Sequence, residues 1–427
     1  MREDVRPQAG TDAAVPPAFR IDVPLHDILM QPGRSMVPGR PQTPPFPEPV
    51  FPQHPDGINR EKLGYHFHNG LRAFRRWLMP YMRSRYHHDQ FRPILSYLFT
   101  EWKCNLDCHY CWAFDNRVKG MTEQIARRSI DWLHDVGCRV IAIMGGEPLL
   151  RPDLIHKVVD YGTKRDFFVY LPTNGRLLRP NVIDRLGDAG VAAINLAVDC
   201  VDEKPGLPKA LEHIRPHFEH LVKVQRRYGY MVVFNINITR INMDDARVLT
   251  EIAHDNGIST DYHINEPPMI EQAHFKHLEE NGTYLRPQDW PAVDELLDQL
   301  IEKNRQGYIM VNSKQHLADM KDFMRGKVQA WQCRAGQNSL VIRTDGSLAP
   351  CFPMYSAGYD WGTIENPKFD FVQLDEMKRE CNTHCLSTCQ YVLGHYYNNQ
   401  RVLRWIIKQA LHGFNGLRGL NTAVAQA

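Results

Sequence analysis

No stretch of these 427 residues stays apolar for the roughly 20 positions that a membrane-spanning helix needs. The chain also lacks the charged start and apolar core of a secretory signal at its N-terminus. Net charge is nearly absent. The 51 Lys and Arg against 49 Asp and Glu leave +2, which argues against a dedicated nucleic-acid surface, though local basic patches remain open. Apolar residues at 43% and charged residues at 23% are those of an ordinary soluble globular protein. The length suits one large α/β domain with an appendage, or two domains. Ten cysteines at metal-like spacings, with no export signal, read as ligands in a reducing compartment and not as disulfides. The expected location is cytoplasmic.

The densest chemistry lies in Cys104-Asn105-Leu106-Asp107-Cys108-His109-Tyr110-Cys111. Thiolates are soft ligands that favour iron–sulfur clusters or zinc, and clusters are normally held by four cysteines. Three thiols at C-x3-C-x2-C with no local fourth point to a 4Fe–4S cluster that keeps one iron open. The plainer alternatives are a zinc knuckle, which prefers paired C-x2-C halves closed to four ligands, or three unligated core cysteines.

From residue 94 the pattern alternates strands and helices, as parallel βα units do. Strands are predicted at 94–100, 140–144, 167–171, 193–198, 231–238 and 260–264, with a helix over 122–136. Polar and glycine residues gather at their C-terminal ends, where parallel βα folds place their chemistry. One such end is Gly145-Gly146-Glu147-Pro148, 34 residues after Cys111. Glycine there lets backbone groups come close to a ligand.

The three-Cys loop followed by this GGEP turn resembles the radical S-adenosylmethionine (radical SAM) superfamily. That resemblance implies a partial (β/α)6 TIM-type barrel, a 4Fe–4S cluster on Cys104, Cys108 and Cys111, and SAM chelated at the open iron. It also implies reductive cleavage of SAM to a 5′-deoxyadenosyl radical that abstracts hydrogen from a substrate, with flavodoxin or ferredoxin as reductant. Gly145, Gly146, Glu147 and Pro148 would bind the SAM amino group, and Tyr110 would lie against the adenine. Thr173, Asn174, Asp199 and Asn237 stand on strand ends where the family binds ribose and methionine carboxylate; for each the alternative is a strand-end cap or turn former.

A second cysteine group follows. Cys333 and Cys351 flank a hairpin signalled by Asp345-Gly346 between apolar strands, and Cys381, Cys385 and Cys389 follow at C-x3-C-x3-C. Five thiols exceed by one what a cluster requires, and the spacing leaves open which of the last three is spare. The pattern resembles the SPASM or twitch extension of radical SAM enzymes, which implies one auxiliary 4Fe–4S cluster; a structural zinc site has the same ligand types. Cys138 reads as a buried apolar residue. Cys200, next to Asp199 at the mouth of the fourth strand, is the candidate catalytic thiol, a hydrogen-atom donor facing the substrate; the alternative is an inert buried cysteine.

The expected organisation is a Pro-rich arm at 1–60 that cannot build a core, an amphipathic helical region at 61–93, the barrel with its closing helices at 94–329, the auxiliary-cluster domain at 330–392, and a basic amphipathic helix and tail at 393–427. Within the first helical region Phe67, Leu71, Phe74, Leu78 and Met82 recur at helical spacing. Near the C-terminus Leu403, Ile406, Ile407, Ala410 and Phe414 do the same. Both helices either pack on the barrel or touch an anionic membrane surface. The substrate reading is a small molecule such as a sugar or aminocyclitol, with peptide or lipid modification as alternatives, and a non-catalytic iron–sulfur or zinc scaffold as the reading of another class.

Overall fold

The computed structural model describes residues 71–72, 74–86, 90–111, 118–264, 281–327, 331–355, 359–381 and 385–397. The Pro-rich arm, Phe67 and the C-terminal amphipathic helix lie outside the described residues.

Eight strands form one sheet in the order β6-β5-β4-β3-β2-β1-β7-β8. The first six are β1 (Leu95–Glu101), β2 (Val140–Gly145), β3 (Phe168–Thr173), β4 (Ala193–Ala197), β5 (Met231–Ile238) and β6 (Ser259–Ile264). All pair in parallel with their chain neighbours. Parallel strands need crossovers, and helices supply them: α2 (Glu123–Asp135), α3 (Pro152–Lys164), α4 (Pro180–Asp188), α5 (Arg215–Tyr228) and α6 (Met243–Asp255). Helix α1 (Met79–Tyr86) precedes the sheet, and α7 (Trp290–Arg305) and α8 (Lys314–Met324) follow β6. The six parallel strands with their crossover helices form the partial (β/α)6 barrel.

Alternation along each strand sorts the two faces. Leu98, Ile141, Ile143, Val169, Leu171, Ile194, Leu196, Phe234, Ile236 and Tyr262 are buried against the helices in one continuous core. Their neighbours in sequence line the inside of the barrel.

At its N-terminal end the lumen is stopped by Val140, Phe168 and Ala193, with Trp77 packed on them and its ring 5.4 Å from that of Phe168. This corrects the stripe expected before residue 94. Residues Phe74–Leu78 form a π-helical turn ahead of α1, beside Pro80, which has no N–H to donate. A π turn inserts an extra residue and rotates the following face. Leu71, Phe74 and Met82 consequently stand exposed, while Trp77 and Arg76 face the barrel. Arg76 is buried; its Nε donates to the Asp166 carbonyl at 3.0 Å and to Asp166 Oδ1 at 3.1 Å.

The expected hairpin forms from β7 (Ser339–Ile342) and the antiparallel β8 (Leu348–Ala349). Gly346 takes φ +88°, a conformation that costs glycine little, and Asp345 Oδ1 accepts from Ser347 N at 2.9 Å. The hairpin is not a separate sheet: β7 pairs in parallel with β1, from Leu95↔Ser339 to Leu98↔Ile342. Helices α9 (Phe371–Cys381) and α10 (Thr388–Tyr397) complete the C-terminal part. Among the described residues no helix is long and apolar enough to cross a membrane.

Candidate active site and cysteine-lined cavity

Strand β1 ends in Glu101, a buried carboxylate whose Oε1 accepts from Trp102 N at 3.0 Å and Lys103 N at 3.1 Å. These two bonds turn the chain out of the sheet into the loop carrying Cys104, Cys108 and Cys111. The end of β2 runs against the same turn. Gly146 N donates to Glu101 O at 2.6 Å and Glu147 N to Lys103 O at 2.8 Å. A Cβ on Gly146 would sit 2.4 Å from Lys103 O and 2.6 Å from Trp102 O, and one on Gly145 would sit 2.5 Å from Glu101 O. The two glycines thus let two strand ends approach, which fixes the GGEP backbone against the three-Cys loop.

Glu147 is fully buried and already satisfied. Its carboxylate accepts from Leu149 N at 2.9 Å, Thr173 Oγ1 at 2.8 Å and Asn174 N at 2.8 Å. Burial raises its pKa, and these donors oppose the rise. The bonds from Thr173 and Asn174 brace β2 against β3 beside the cysteine loop. Pro148 opens the short turn that Glu147 caps. Asn174 reaches the cysteine loop itself, its Nδ2 donating to Asn105 Oδ1 at 2.9 Å and lying 3.9 Å from Cys104 Sγ.

On the opposite side of the loop Tyr110 OH donates to Asp199 Oδ2 at 2.5 Å and accepts from Lys209 Nζ at 2.8 Å. Asp199 Oδ1 accepts from Asn237 N at 2.9 Å. Lys209 carries no sequence motif. It arrives because the excursion after β4 returns to pair Cys200 with Ala210, with Asp199 N bonded to Lys209 O at 2.8 Å. Burial works against its charge, but Cys108, Asp199 and Cys111 outweigh burial and hold its pKa above the ordinary lysine value. Burial raises the Asp199 carboxyl, with Lys209, Tyr110 and Asn237 pulling the other way. The Cys104 thiol is pushed up to about 12, mainly by burial and then by Glu147.

Cys200 does not open on the site as expected. It is fully buried with Leu207 and Ala210, in contact with Tyr110 and Ile241, and its thiol donates to Leu207 O at 3.3 Å. Cys138 is also fully buried, donating to Val140 O at 3.3 Å. A thiolate in an apolar site is disfavoured. Anaerobic iodoacetamide treatment of iron-free protein at pH 8 should therefore leave the buried Cys138 and Cys200 unmodified while the partly exposed Cys111 reacts. Peptide mass spectrometry checks this, and modification of Cys200 at the Cys111 rate would show it open to the site.

In the C-terminal part Cys333, Cys351, Cys381 and Cys385 line one small cavity, together with Trp331 and Lys378. Cys389 does not line it. It packs instead with Tyr97, Phe99, Trp102 and Tyr355, and its thiol is hydrogen-bonded to Tyr97. The three trailing cysteines do not share one helix face, because α9 ends at Cys381 and α10 starts only at Thr388. Among the described residues no three His, Cys, Asp or Glu converge closely enough to share a single metal ion.

Residues 103–253 match the Radical SAM superfamily. This chain carries a radical SAM domain. That family uses a 4Fe–4S cluster and SAM, and the residues fit them: three thiols on one strand-end loop, a cation beside them, and a side-chain-free Gly-Gly edge. The AdoMet-dependent heme synthase of Methanosarcina barkeri is 30% identical over 169 residues, 38% of this chain and 47% of that protein. A probable GTP 3′,8-cyclase of Methanocaldococcus jannaschii is 36% identical over 107 residues, 23% of this chain and 34% of that protein. The chain thus spans less than half the length of these relatives. In fold, the chain resembles Streptococcus suis SuiB bound to precursor peptide SuiA, with TM-score 0.50, 15% identity, and coverage of 67% of this chain and 66% of that one. It also resembles anSMEcpe with bound AdoMet, with TM-score 0.50, 17% identity, and coverage of 67% and 82%.

Proposed function

We propose that this protein is a radical SAM enzyme that oxidises, epimerises or rearranges a small polar molecule, and that it holds an auxiliary 4Fe–4S cluster in the C-terminal cavity. The observation that carries the reading is the clasp of the Gly145-Gly146 backbone against the loop of Cys104, Cys108 and Cys111, at the C-terminal end of parallel strands. When bound, the cluster and SAM supply the one-electron chemistry that removes an unactivated hydrogen.

The chain's own part is positioning and charge. Cys104, Cys108 and Cys111 would hold the cluster. Asn174 orients the Cys104 turn through Asn105. Lys209 offsets the negative charge that three thiolates concentrate, and Asp199 with Tyr110 keeps that lysine aimed at the loop. Four cavity cysteines, Cys333, Cys351, Cys381 and Cys385, match the ligand count of a closed cluster, which leaves Cys389 as the spare thiol. A flavodoxin or ferredoxin would deliver the electron.

Anaerobic reconstitution with iron and sulfide, then dithionite and SAM, is expected to yield 5′-deoxyadenosine by chromatography, and Cys108→Ser to yield none. Protein that holds iron and sulfide yet neither binds nor cleaves SAM would leave only a scaffold.

A second reading, a lipid substrate met at a membrane surface, draws on the exposed Leu71, Phe74, Met82 and Tyr86 beside Arg75, 47% exposed. Flotation with anionic vesicles tests it: retention in the pellet fraction would remove it.

A further inference from the structure

The inner wall of the barrel changes character along the sheet. The lumen residues of β1 and β2, including Phe99 and Ala142, belong to an apolar group, but β3 to β6 present Tyr170, Asn195, Asn235, Asp261 and His263. Some of these satisfy one another. Asn195 Nδ2 donates to Tyr170 OH. Asn235 and His263 Nε2 lie 3.1 Å apart, and His263 Nε2 lies 3.3 Å from Asp261 Oδ2. One ring nitrogen cannot accept from Asn235 and donate to Asp261 together, so these three groups have fewer protons to share than contacts.

Two oxygens have none at all. Asn195 Oδ1 and Asp261 Oδ1 are buried and accept no hydrogen bond among the described residues, on side chains belonging to residues only 1% and 7% exposed. An unpaired buried carboxylate oxygen is costly, and native structures rarely tolerate one without a reason. The register places this wall one pleat below the cofactor end: Asn237, whose N–H binds Asp199, pairs with His263, and Asn235 pairs with Asp261.

We propose that this wall is the substrate subsite, and that its occupant is a small polar molecule giving an ammonium or hydroxyl proton to Asp261 and a second donor to Asn195. The assignment rests on the radical SAM reading, which puts the reacting centre at the open end of this lumen. A long acyl chain placed against β3 to β6 would bury the polar groups of Asn195, Asn235 and Asp261 without giving them a hydrogen bond. An ammonium group is favoured over a neutral hydroxyl because the orphaned oxygen belongs to a carboxylate, and charge-assisted hydrogen bonds are the stronger ones.

The test uses reconstituted holoenzyme with SAM bound and three probes, glucosamine, glucose and decanoate, followed by saturation-transfer NMR and calorimetric titration. Glucosamine is expected to bind at least tenfold more tightly than decanoate, and Asp261→Asn to weaken glucosamine at least tenfold while levelling it with glucose. Asp261→Asn should also leave the thermal midpoint unchanged or higher, because it removes the charge from a carboxylate whose Oδ1 lacks a donor; a purely structural Asp261 would instead give a lower one. Should Asp261→Asn fail to fold, Asn195→Leu takes its place, expected to weaken both sugars with the fold intact, and unchanged sugar affinity there overturns the subsite. Binding of neither sugar, preference for decanoate, or glucosamine affinity indifferent to Asp261 overturns the subsite. SAM affinity measured on the same sample separates the failures: SAM bound without either sugar sinks the subsite alone, and no SAM binding sinks the enzyme reading as well.

Discussion

Gly146→Ala is expected to cut SAM binding and 5′-deoxyadenosine formation by at least about 100-fold, equivalent to about 3 kcal/mol. The new methyl would lie 2.4 Å and 2.6 Å from the Lys103 and Trp102 carbonyl oxygens. Neither neighbour is a flexible side-chain end. Both belong to the backbone that turns Cys104 out of the sheet, so relief must come from moving the cluster loop or from breaking the 2.6 Å bond of Gly146 N to Glu101 O. Misplacing a reacting group by about 1 Å is enough for a loss of this size. Overpacking should also lower stability by about 1–3 kcal/mol. Gly282→Ala is the control, since a Cβ there meets nothing within 4 Å. Equilibrium dialysis against SAM reads the first effect and chemical denaturation the second. Wild-type SAM affinity in Gly146→Ala would show that the clasp does not set the site.

Iron content should separate the five C-terminal cysteines. With both clusters in place the protein is expected to hold about eight irons, four per cluster. Cys351→Ala should reduce this to about four, because Cys351 lines the cavity with Cys333, Cys381 and Cys385. Cys389→Ala should keep about eight, because that thiol faces Tyr97 and the aromatic group of β1. Metal analysis of anaerobically purified protein decides. A Cys389→Ala loss equal to that of Cys351→Ala would make Cys389 a ligand, and one zinc with about four irons would replace the auxiliary cluster by a structural ion.

The most chemical part of the molecule was also the most readable. Cys104, Cys108 and Cys111 carry a spacing, Gly145-Gly146 carries a turn, and alternating strand and helix patterns carry the six βα units, whose ends agree with the structure to within a residue or two. Such signals are local, so one dimension suffices to see them. Lys209 shows what is lost otherwise: an ordinary lysine in a polar loop, it reaches Tyr110 only because the segment after β4 folds back at Cys200↔Ala210. Glu147 shows a second kind of loss. Its motif was visible, but its three internal donors belong to β3 and the turn after β2, and no spacing reveals which backbone and side-chain donors a carboxylate meets. Trp77 shows a third, since a single π turn ahead of Pro80 redirects a stripe that counted correctly at 3.6 residues per turn. Asp261 lay in a strand predicted correctly. That its Oδ1 meets no donor is a fact about neighbours, which composition and periodicity do not hold.

The pairing of β7 with β1 bears on how the protein is made. Strand β1 leaves the ribosome early, yet one of its edges stays uncovered until Ser339–Ile342 has been synthesised, and an uncovered strand edge is a template for aggregation. Any truncation that keeps only residues 90–327 should therefore come out insoluble even though it contains every barrel strand. Long-range pairing of this kind also slows folding, so successful expression will depend on slow synthesis or a chaperone holding that edge until the C-terminal half arrives.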